Sequence, residues 1–172
     1  MTETSRYLHL TTPYVTGLNV IDIGSQGDPV VPRAIQIELP PDDYSHYTSG
    51  KTLDGPAWRG DGRMLPFKDR TVDCVYSSHL IEDFEDWRPA VVEWWRVLKL
   101  GGHLIVLTPD NDLWNAAVAA GQCPNCSHRH CGKVGELTRL IKAIDRKAAI
   151  LEDRLTNCHP GDYTILFVAR KG

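Results

Sequence analysis

Short apolar runs flanked by glycine and proline recur along the chain and predict a set of β-strands. The first, Val20–Ile23, is apolar except for Asp22, and the second, 34–39, stops at Pro40 and Pro41, which cannot continue a strand. Further strands are predicted at 57–59, 71–76, 103–108, 149–155 and 163–169. The last two lie close enough in sequence to pair as an antiparallel hairpin.

Two other segments carry apolar residues at helical spacing. These residues are Phe84, Trp87, Val91, Trp94, Trp95 and Leu98 in the first segment and Val134, Leu137, Leu140, Ile141 and Ile144 in the second. Each set predicts an amphipathic helix, and Gly101 and Gly102 predict the end of the first helix. Only residues 24–33 separate the first two strands, so a helix between them is expected to be shortened or absent.

Strands that alternate with helices indicate an α/β fold with a mostly parallel sheet covered on both faces. The C-terminal antiparallel hairpin is a more particular feature of this chain. A length of 172 residues is enough for one domain with a full core. We therefore expect a single domain over 1–172, with a candidate Cys/His-rich insert at 109–132.

Composition and charge narrow the class of protein. The chain is 42% hydrophobic and 24% charged, with a formal net charge of −3, which is ordinary for a globular protein and gives no reason to expect nucleic acid or an acidic membrane as partner. No apolar run approaches the roughly 20 residues of a membrane span. The polar N-terminus and five mostly clustered cysteines favour a reducing, cytoplasmic setting.

Polar groups follow four of the predicted strands: Asp22, Glu38, Asp61 and the turn 77–79. Ligands of an open parallel sheet bind at the carboxyl ends of its strands, near the point where the strand order reverses. The two oxygens of Glu38 match the vicinal hydroxyls of a ribose, and Asp61 can accept from the exocyclic amine of adenine. The alternatives are that Asp22 only orients the loop backbone, that Glu38 is a solvated strand end and that Asp61 belongs to an ordinary turn.

The loop after the first strand, GSQGD at 24–28, lacks the glycines of a dinucleotide-binding loop. Asp28 would repel a diphosphate placed against this turn. S-adenosylmethionine carries a sulfonium, an ammonium and one carboxylate but no phosphate, and it needs close backbone approach only at Gly24 and Gly27. The loop therefore argues against a nicotinamide dinucleotide more strongly than against binding itself.

Several motifs in order over residues 18 to about 110 resemble the class I S-adenosylmethionine-dependent methyltransferases, particularly the compact type 11 group. They are VIDIGSQG at 20–27, IQIEL at 35–39, GDGRMLPFKDRTVDCVYSSHLIEDF at 60–84 and EWWRVLKLGGHLIVLTPD at 93–110. The chain departs from the family pattern in the GSQGD loop, at Asp83, where the family has histidine, and at Leu100, where it has proline.

The resemblance implies a Rossmann-like fold and a role for each strand-end residue. The cofactor-binding candidates are Asp22, Gly24, Gln26, Gly27, Glu38, Asp61, Gly62, Met64 and Ser77. Among them Gly24 and Gly27 would contact the methionine part, Glu38 the ribose, and Asp61 with Gly62 the adenine. Met64 would cover the ring, while Ser77 and His79 would line the methyl-donor side.

Five potential soft ligands fall within residues 123–131, a segment rich in cysteine and histidine. Cys123 and Cys126, together with one of Cys131, His128 or His130, predict a zinc site whose fourth ligand is a group such as Cys158 or His159. The alternative is a set of free thiols and loop histidines.

Methyl transfer requires alignment of donor and acceptor and, for some acceptors, the removal of a proton. If the acceptor is a hydroxyl, the candidate bases are His79, Asp110 and His128. With residues 1–16, 40–56 and 108–131 left to form the pocket, we expect a small or sugar-like acceptor, or a partner that completes the site. The competing functions are a methyltransferase-like protein that binds without catalysing, and a nicotinamide-dependent oxidoreductase.

Overall fold

A computed structural model describes residues 3–39, 55–121, 128–129 and 132–172 of the chain. Its centre is a seven-stranded sheet in the order β3-β2-β1-β4-β5-β7-β6. Strands β1 to β5 run parallel, whereas β7 is antiparallel to both of its neighbours. The strands are β1 Val20–Ile23, β2 Ile35–Glu38, β3 Ala57–Arg59, β4 Val72–Ser78, β5 Leu98–Pro109, β6 Ala149–Leu155 and β7 Thr164–Arg170.

The helices of the described residues are α1 Glu3–Thr11, α2 Arg88–Val97, α3 Asn111–Ala119 and α4 Glu136–Ile144. Short 3-10 turns at Thr12–Tyr14 and Ile81–Asp83 precede β1 and α2, respectively. In the part of the chain that the structure describes, no helix is both long enough and apolar enough to cross a membrane.

Alternate residues of the strands pack into two hydrophobic layers, as the twofold repeat of a strand requires. On one face Ile21 and Val75 pack with Trp94 of α2 and Ile141 of α4. The residues on the other face include Val20, Cys74, Tyr76 and Leu107, which pack with Tyr7 of α1. Both faces of the sheet are therefore covered, which leaves the loops at the carboxyl ends of the strands as the place for a functional site.

The predicted α/β fold with a C-terminal antiparallel hairpin is confirmed. Residues 24–34, all of which are described, form turns and bends between β1 and β2, so the first helix is absent, as expected. The helix predicted at 84–98 begins only at Arg88 and ends at Val97. The prediction that glycine caps it was wrong: Gly101, with φ of +79°, lies within β5, because its N–H donates to the carbonyl of Lys171.

Candidate functional site

The carboxyl ends of β1, β2, β3 and β4 meet at the point where the strand order reverses. From β1 the chain continues outward to β2 and β3 on one side, and β4 lies on the other side, with Ser77 opposite Ile23. The N–H of Gly24 donates to the carbonyl of Ile37 (3.0 Å), and the N–H of Gly60 donates to that of Glu38 (2.8 Å). Glu38 and the turn that holds Asp61 therefore lie at the same end of neighbouring strands.

The loop after β1 turns sharply, with φ of +79° at Gly24, +51° at Gln26 and +80° at Gly27. Glycine reaches this left-handed region without steric cost, whereas glutamine does so only under local constraint. The constraint comes from Glu38, whose Oε1 accepts from the Gln26 N–H (2.7 Å) and from the Ser25 hydroxyl (2.8 Å). Only 4% of the surface of Glu38 is exposed, so its buried carboxylate helps to hold the conformation of the loop.

Two further carboxylates lie beside Glu38. Asp22 is buried and accepts from the N–H of Val30 (2.6 Å), so it does orient the loop backbone. Desolvation raises the pKa of Asp22 well above its usual range, and the negative charges of Glu38 and Asp28 add to the rise. The buried Oδ2 of Asp28 has no hydrogen-bond partner among the described residues. The loop is thus a negatively charged environment suited to a cation and unsuited to a phosphate.

The turn after β3 is held by charge and by close packing. The carboxylate of Asp61 accepts from both the backbone and the guanidinium of Arg63 (2.7–3.0 Å), and these bonds lower the pKa of Asp61. A Cβ on Gly62 would lie 2.8 Å from Cγ2 of Ile23, and the Gly62 carbonyl accepts from Nε1 of Trp94 (2.8 Å). Met64 is 75% exposed beside this turn.

The turn after β4 places an imidazole beside a fully buried carboxylate. Nδ1 of His79 lies 3.3 Å from Oε1 of Glu82, whose side chain has no exposed surface. On the other side of the ring, Nε2 lies 3.3 Å from Oγ1 of Thr164. Tyr7 stacks on His79 with 6.4 Å between the ring centroids, and its hydroxyl is 2.8 Å from Thr164 and 3.0 Å from Asp162. One continuous polar chain therefore links α1, β4 and β7.

His128 lies near the same oxygen of Glu82. Its Nε2 lies 3.8 Å from Oε1 of Glu82, and its ring lies against that of Trp114, with 5.3 Å between centroids. Oε2 of Glu82 accepts from the Thr108 hydroxyl (3.2 Å). The structure thus brings together two of the three candidate bases, and the residue that joins them is one that the sequence analysis did not select.

Two other candidate residues, Ser77 and Asp110, form hydrogen bonds with backbone groups. The hydroxyl of Ser77 is buried and donates to the carbonyl of Ile23 (3.1 Å). Asp110 is the N-cap of α3, where Oδ1 accepts from the N–H groups of Asp112 and Leu113 (3.1 Å each). Satisfying these end groups stabilises the helix, so the carboxylate of Asp110 is engaged by its own backbone.

Glu82, Thr164 and Tyr7 were missed for different reasons. The spacing His79-x-x-Glu82 was a usable signal, because residues three apart in a helical turn share a face. Tyr7 and Thr164 lie 157 positions apart, and local sequence gives no indication that they meet.

The predicted zinc ligands Cys123, Cys126 and Cys131 lie outside the described residues. Within the described ranges, no group of three or more His, Cys, Asp or Glu side chains is arranged to hold a metal ion. The zinc site therefore stays a prediction from sequence.

Comparison with known families agrees with the geometry. Residues 41–106 match the family model of the type 11 methyltransferase domain. The matched stretch covers the β3 turn, β4, α2 and most of β5, and it begins after the β1 loop and Glu38.

Among curated proteins, a demethylmenaquinone methyltransferase of Streptomyces griseus is 37% identical over 59 residues, which are 34% of this chain and 26% of the relative. Phthiotriol/phenolphthiotriol dimycocerosates methyltransferase 1 of Mycobacterium ulcerans is 33% identical over 103 residues, or 56% of this chain and 36% of the relative. The chain thus spans about a quarter to a third of the length of these relatives.

Among solved structures, a SAM-dependent methyltransferase of Thermotoga maritima superposes with a TM-score of 0.73 at 17% identity, over 98% of this chain and 89% of that one. At this identity the likeness shows a shared fold.

Proposed function

We propose that the chain is a class I S-adenosylmethionine-dependent methyltransferase of the type 11 group, whose family model it matches over residues 41–106, and that it transfers a methyl group from S-adenosylmethionine to a small-molecule acceptor. The observation that carries the proposal is the hydrogen bond from Gly60 to Glu38. It joins the ends of β2 and β3, so that Glu38 and the turn that holds Asp61 lie at the same end of the sheet as the Gly24–Gly27 loop.

The residues present fit this cofactor. Gly24 and Gly27 allow close backbone approach for the methionine part, and Gln26 lies between them in the same turn. Glu38 has the acceptor oxygens for ribose hydroxyls, while Gly62 offers a position without a side chain next to Asp61. When bound, the cofactor supplies a methyl group already activated by a sulfonium.

Electrostatics favours this cofactor over a nicotinamide dinucleotide. Asp22 and Asp28 lie beside the loop on which a diphosphate would have to rest, and the unpartnered Oδ2 of Asp28 is buried there. An ammonium lowers the free energy of such a group of carboxylates, whereas phosphates raise it. The acidic residues that disfavour a dinucleotide at this loop therefore also suit the amino group of S-adenosylmethionine.

We propose a small or sugar-like acceptor. The relatives named above are methyltransferases for demethylmenaquinone and for phthiotriol and phenolphthiotriol dimycocerosates, so hydroxylated lipids and reduced quinones join sugars as candidates. The acceptor side would be formed by α1, α3 and the end of β5, where Tyr7, Trp114 and Thr108 lie around His79 and His128.

The test combines binding with turnover. The melting temperature is measured with S-adenosylmethionine, S-adenosylhomocysteine and NAD, since a ligand that binds only the native state raises it. Release of S-adenosylhomocysteine is then followed with menadiol, a long-chain diol and a methyl glucoside. A shift with both sulfur compounds and turnover of at least one acceptor are expected. A shift with NAD alone would establish the oxidoreductase alternative, and a shift without turnover of any acceptor would favour a binding protein.

A further inference from the structure

We infer that His79 is the general base for an acceptor hydroxyl and that Glu82 is the positioning residue that holds it; the inference rests on the proposed methyl transfer. The observation behind it is a carboxylate without exposed surface that lies between two imidazoles at the carboxyl end of β4. A buried charge of this kind is costly unless it is paired, so its retention calls for a functional reason.

The contacts around His79 favour one placement of the ring proton. A carboxylate accepts hydrogen bonds, and the buried Oε1 of Glu82, which has no hydrogen-bond partner among the described residues, lies 3.3 Å from Nδ1, so we place the proton on Nδ1. The lone pair then lies on Nε2, which is 3.3 Å from the Thr164 hydroxyl, a long hydrogen bond. Thr164 has a second, shorter contact of 2.8 Å with Tyr7. An acceptor hydroxyl can therefore take the place of Thr164 at Nε2 without leaving Thr164 unpaired.

His79 directly precedes a residue that packs against the Gly24–Gly27 loop. His79 follows the strand residues Ser77 and Ser78, and the next side chain, Leu80, lies 3.0 Å from the point where a Cβ on Gly24 would be. The backbone of His79 has φ of +51° and is held there by its N–H, which donates to the carbonyl of Leu107 (2.9 Å). Non-glycine residues in this region cluster at functional sites.

The proton and charge balance of the step is complete without another reactant. As the acceptor oxygen bonds to the methyl carbon, the carbon–sulfur bond breaks and the sulfonium becomes a neutral thioether. The hydroxyl proton passes to Nε2 of His79, and the positive charge is left on an imidazolium in contact with the Glu82 carboxylate. Solvent takes the proton after the products leave.

The other candidate bases are placed less well for this role. The carboxylate of Asp110 accepts two backbone N–H groups as a helix cap. In His128 the nitrogen nearest to Glu82 is Nε2, and the ring lies against Trp114. We therefore assign His128 and Trp114 to the wall that receives the acceptor.

The experiment uses the full chain and the variants His79→Asn, Glu82→Gln and Glu82→Ala. The matched control is His103→Asn, since His103 lies on β5 opposite Cys74 of β4 and Arg170 of β7 and is hydrogen-bonded to Thr16. Turnover is measured with menadiol, a long-chain diol and a methyl glucoside, and S-adenosylmethionine affinity by calorimetry. Long-range proton–nitrogen NMR correlations report the imidazole tautomer of His79.

We expect His79→Asn to lower kcat by about 100-fold or more, the range for loss of a general base, with cofactor affinity within about twofold of wild type. Glu82→Gln should keep the Nδ1-protonated tautomer yet lose about tenfold in kcat, because the amide accepts the hydrogen bond without the charge. Glu82→Ala should lose both the rate and the single tautomer, a change that merely lower stability does not produce. The control should match wild type.

The outcomes separate this inference from the proposed function. Wild-type kcat in His79→Asn, an Nε2-protonated His79 in the wild type, or methylation of carbon rather than oxygen in menadiol would overturn the inference while methyl transfer stood. Cofactor binding without turnover of any hydroxyl probe would overturn the acceptor class. A wild-type protein that does not bind S-adenosylmethionine would overturn the proposed function itself.

Discussion

Burial decides the chemistry of individual residues in this protein, and Cys74 shows it most simply. The side chain lies in the layer under α1, and desolvation, together with the charge of Asp22, raises the pKa of its thiol to about 12. Since the thiolate is the reactive form, we predict that Cys74 resists alkylation by iodoacetamide in the native protein at pH 8 and reacts after unfolding. Peptide mass spectrometry gives the labelled fraction at each cysteine, and equal native and unfolded labelling at Cys74 would contradict the buried position.

The raised pKa of Asp22 predicts how the stability of the protein depends on pH. Its pKa is raised in the folded state, so its contribution to stability is complete below the unfolded pKa of about 3.9 and is lost as pH rises through the higher folded value. Asp22→Asn keeps an oxygen for the Val30 N–H but cannot ionise. We expect the unfolding free energy of the variant to gain on that of wild type as pH rises from about 4 to 8. Urea unfolding at several pH values measures the difference, and parallel curves would count against the raised pKa.

At the scale of elements, a buried hydroxyl of α1 hydrogen-bonds at the start of β7. Tyr7 donates to Asp162 and contacts Thr164, while Asp162 also accepts from the N–H groups of Cys158 and Thr164. Burial raises the pKa of Tyr7 to about 12, so the phenol stays protonated and keeps donating. The helix thus depends on tertiary contacts, since its own sequence, ETSRYLHLT, has few apolar residues.

Tyr7→Phe removes this attachment and leaves the rest of the ring in place. We predict a loss of about 1–3 kcal/mol in the free energy of unfolding, the range for a buried polar partner left unsatisfied. Tyr14→Phe is the matched control, because Tyr14 bonds to Glu152 in a less buried position and should lose less. Denaturant unfolding of both variants checks the prediction; a larger loss for Tyr14→Phe would contradict it.

Most elements with a local sequence pattern were predicted, whereas an element that depends on distant contacts was not. The strands follow from apolar runs bounded by glycine and proline, and α2 and α4 follow from their apolar periodicity. No local pattern marks α1, which is held by Tyr7, whereas α3 begins at a local cap, Asp110, which was considered only as a candidate base. The positions of Asp22, Glu38 and Asp61 could be inferred because the carboxyl ends of parallel strands must lie together, whereas Glu82 is hidden within the mostly apolar turn LIEDF.

At the scale of the whole molecule, the carboxyl ends of the strands form two regions, one proposed for the cofactor and one for the acceptor. The ends of β1, β2 and β3 form a negatively charged loop region with Glu38 at its base. At the ends of β4 and β5, His79 and Thr108 contact Glu82, and Thr164 at the start of β7 contacts His79. The strand order itself brings the two regions into contact, because β1 and β4 are neighbours.

Calorimetric titration of S-adenosylmethionine into the wild type, Glu38→Gln and the control Glu152→Gln tests the central claim most directly. Glu152 lies on β6, at the far edge of the sheet. The account predicts one site in the wild type, unchanged affinity in the control, and affinity lower by about tenfold or more in Glu38→Gln, since hydrogen bonds to a charged group contribute about 1.5–3 kcal/mol. A wild type that releases no heat of binding, or a Glu38→Gln variant that binds as tightly as wild type, would contradict a cofactor-binding site at the end of β2.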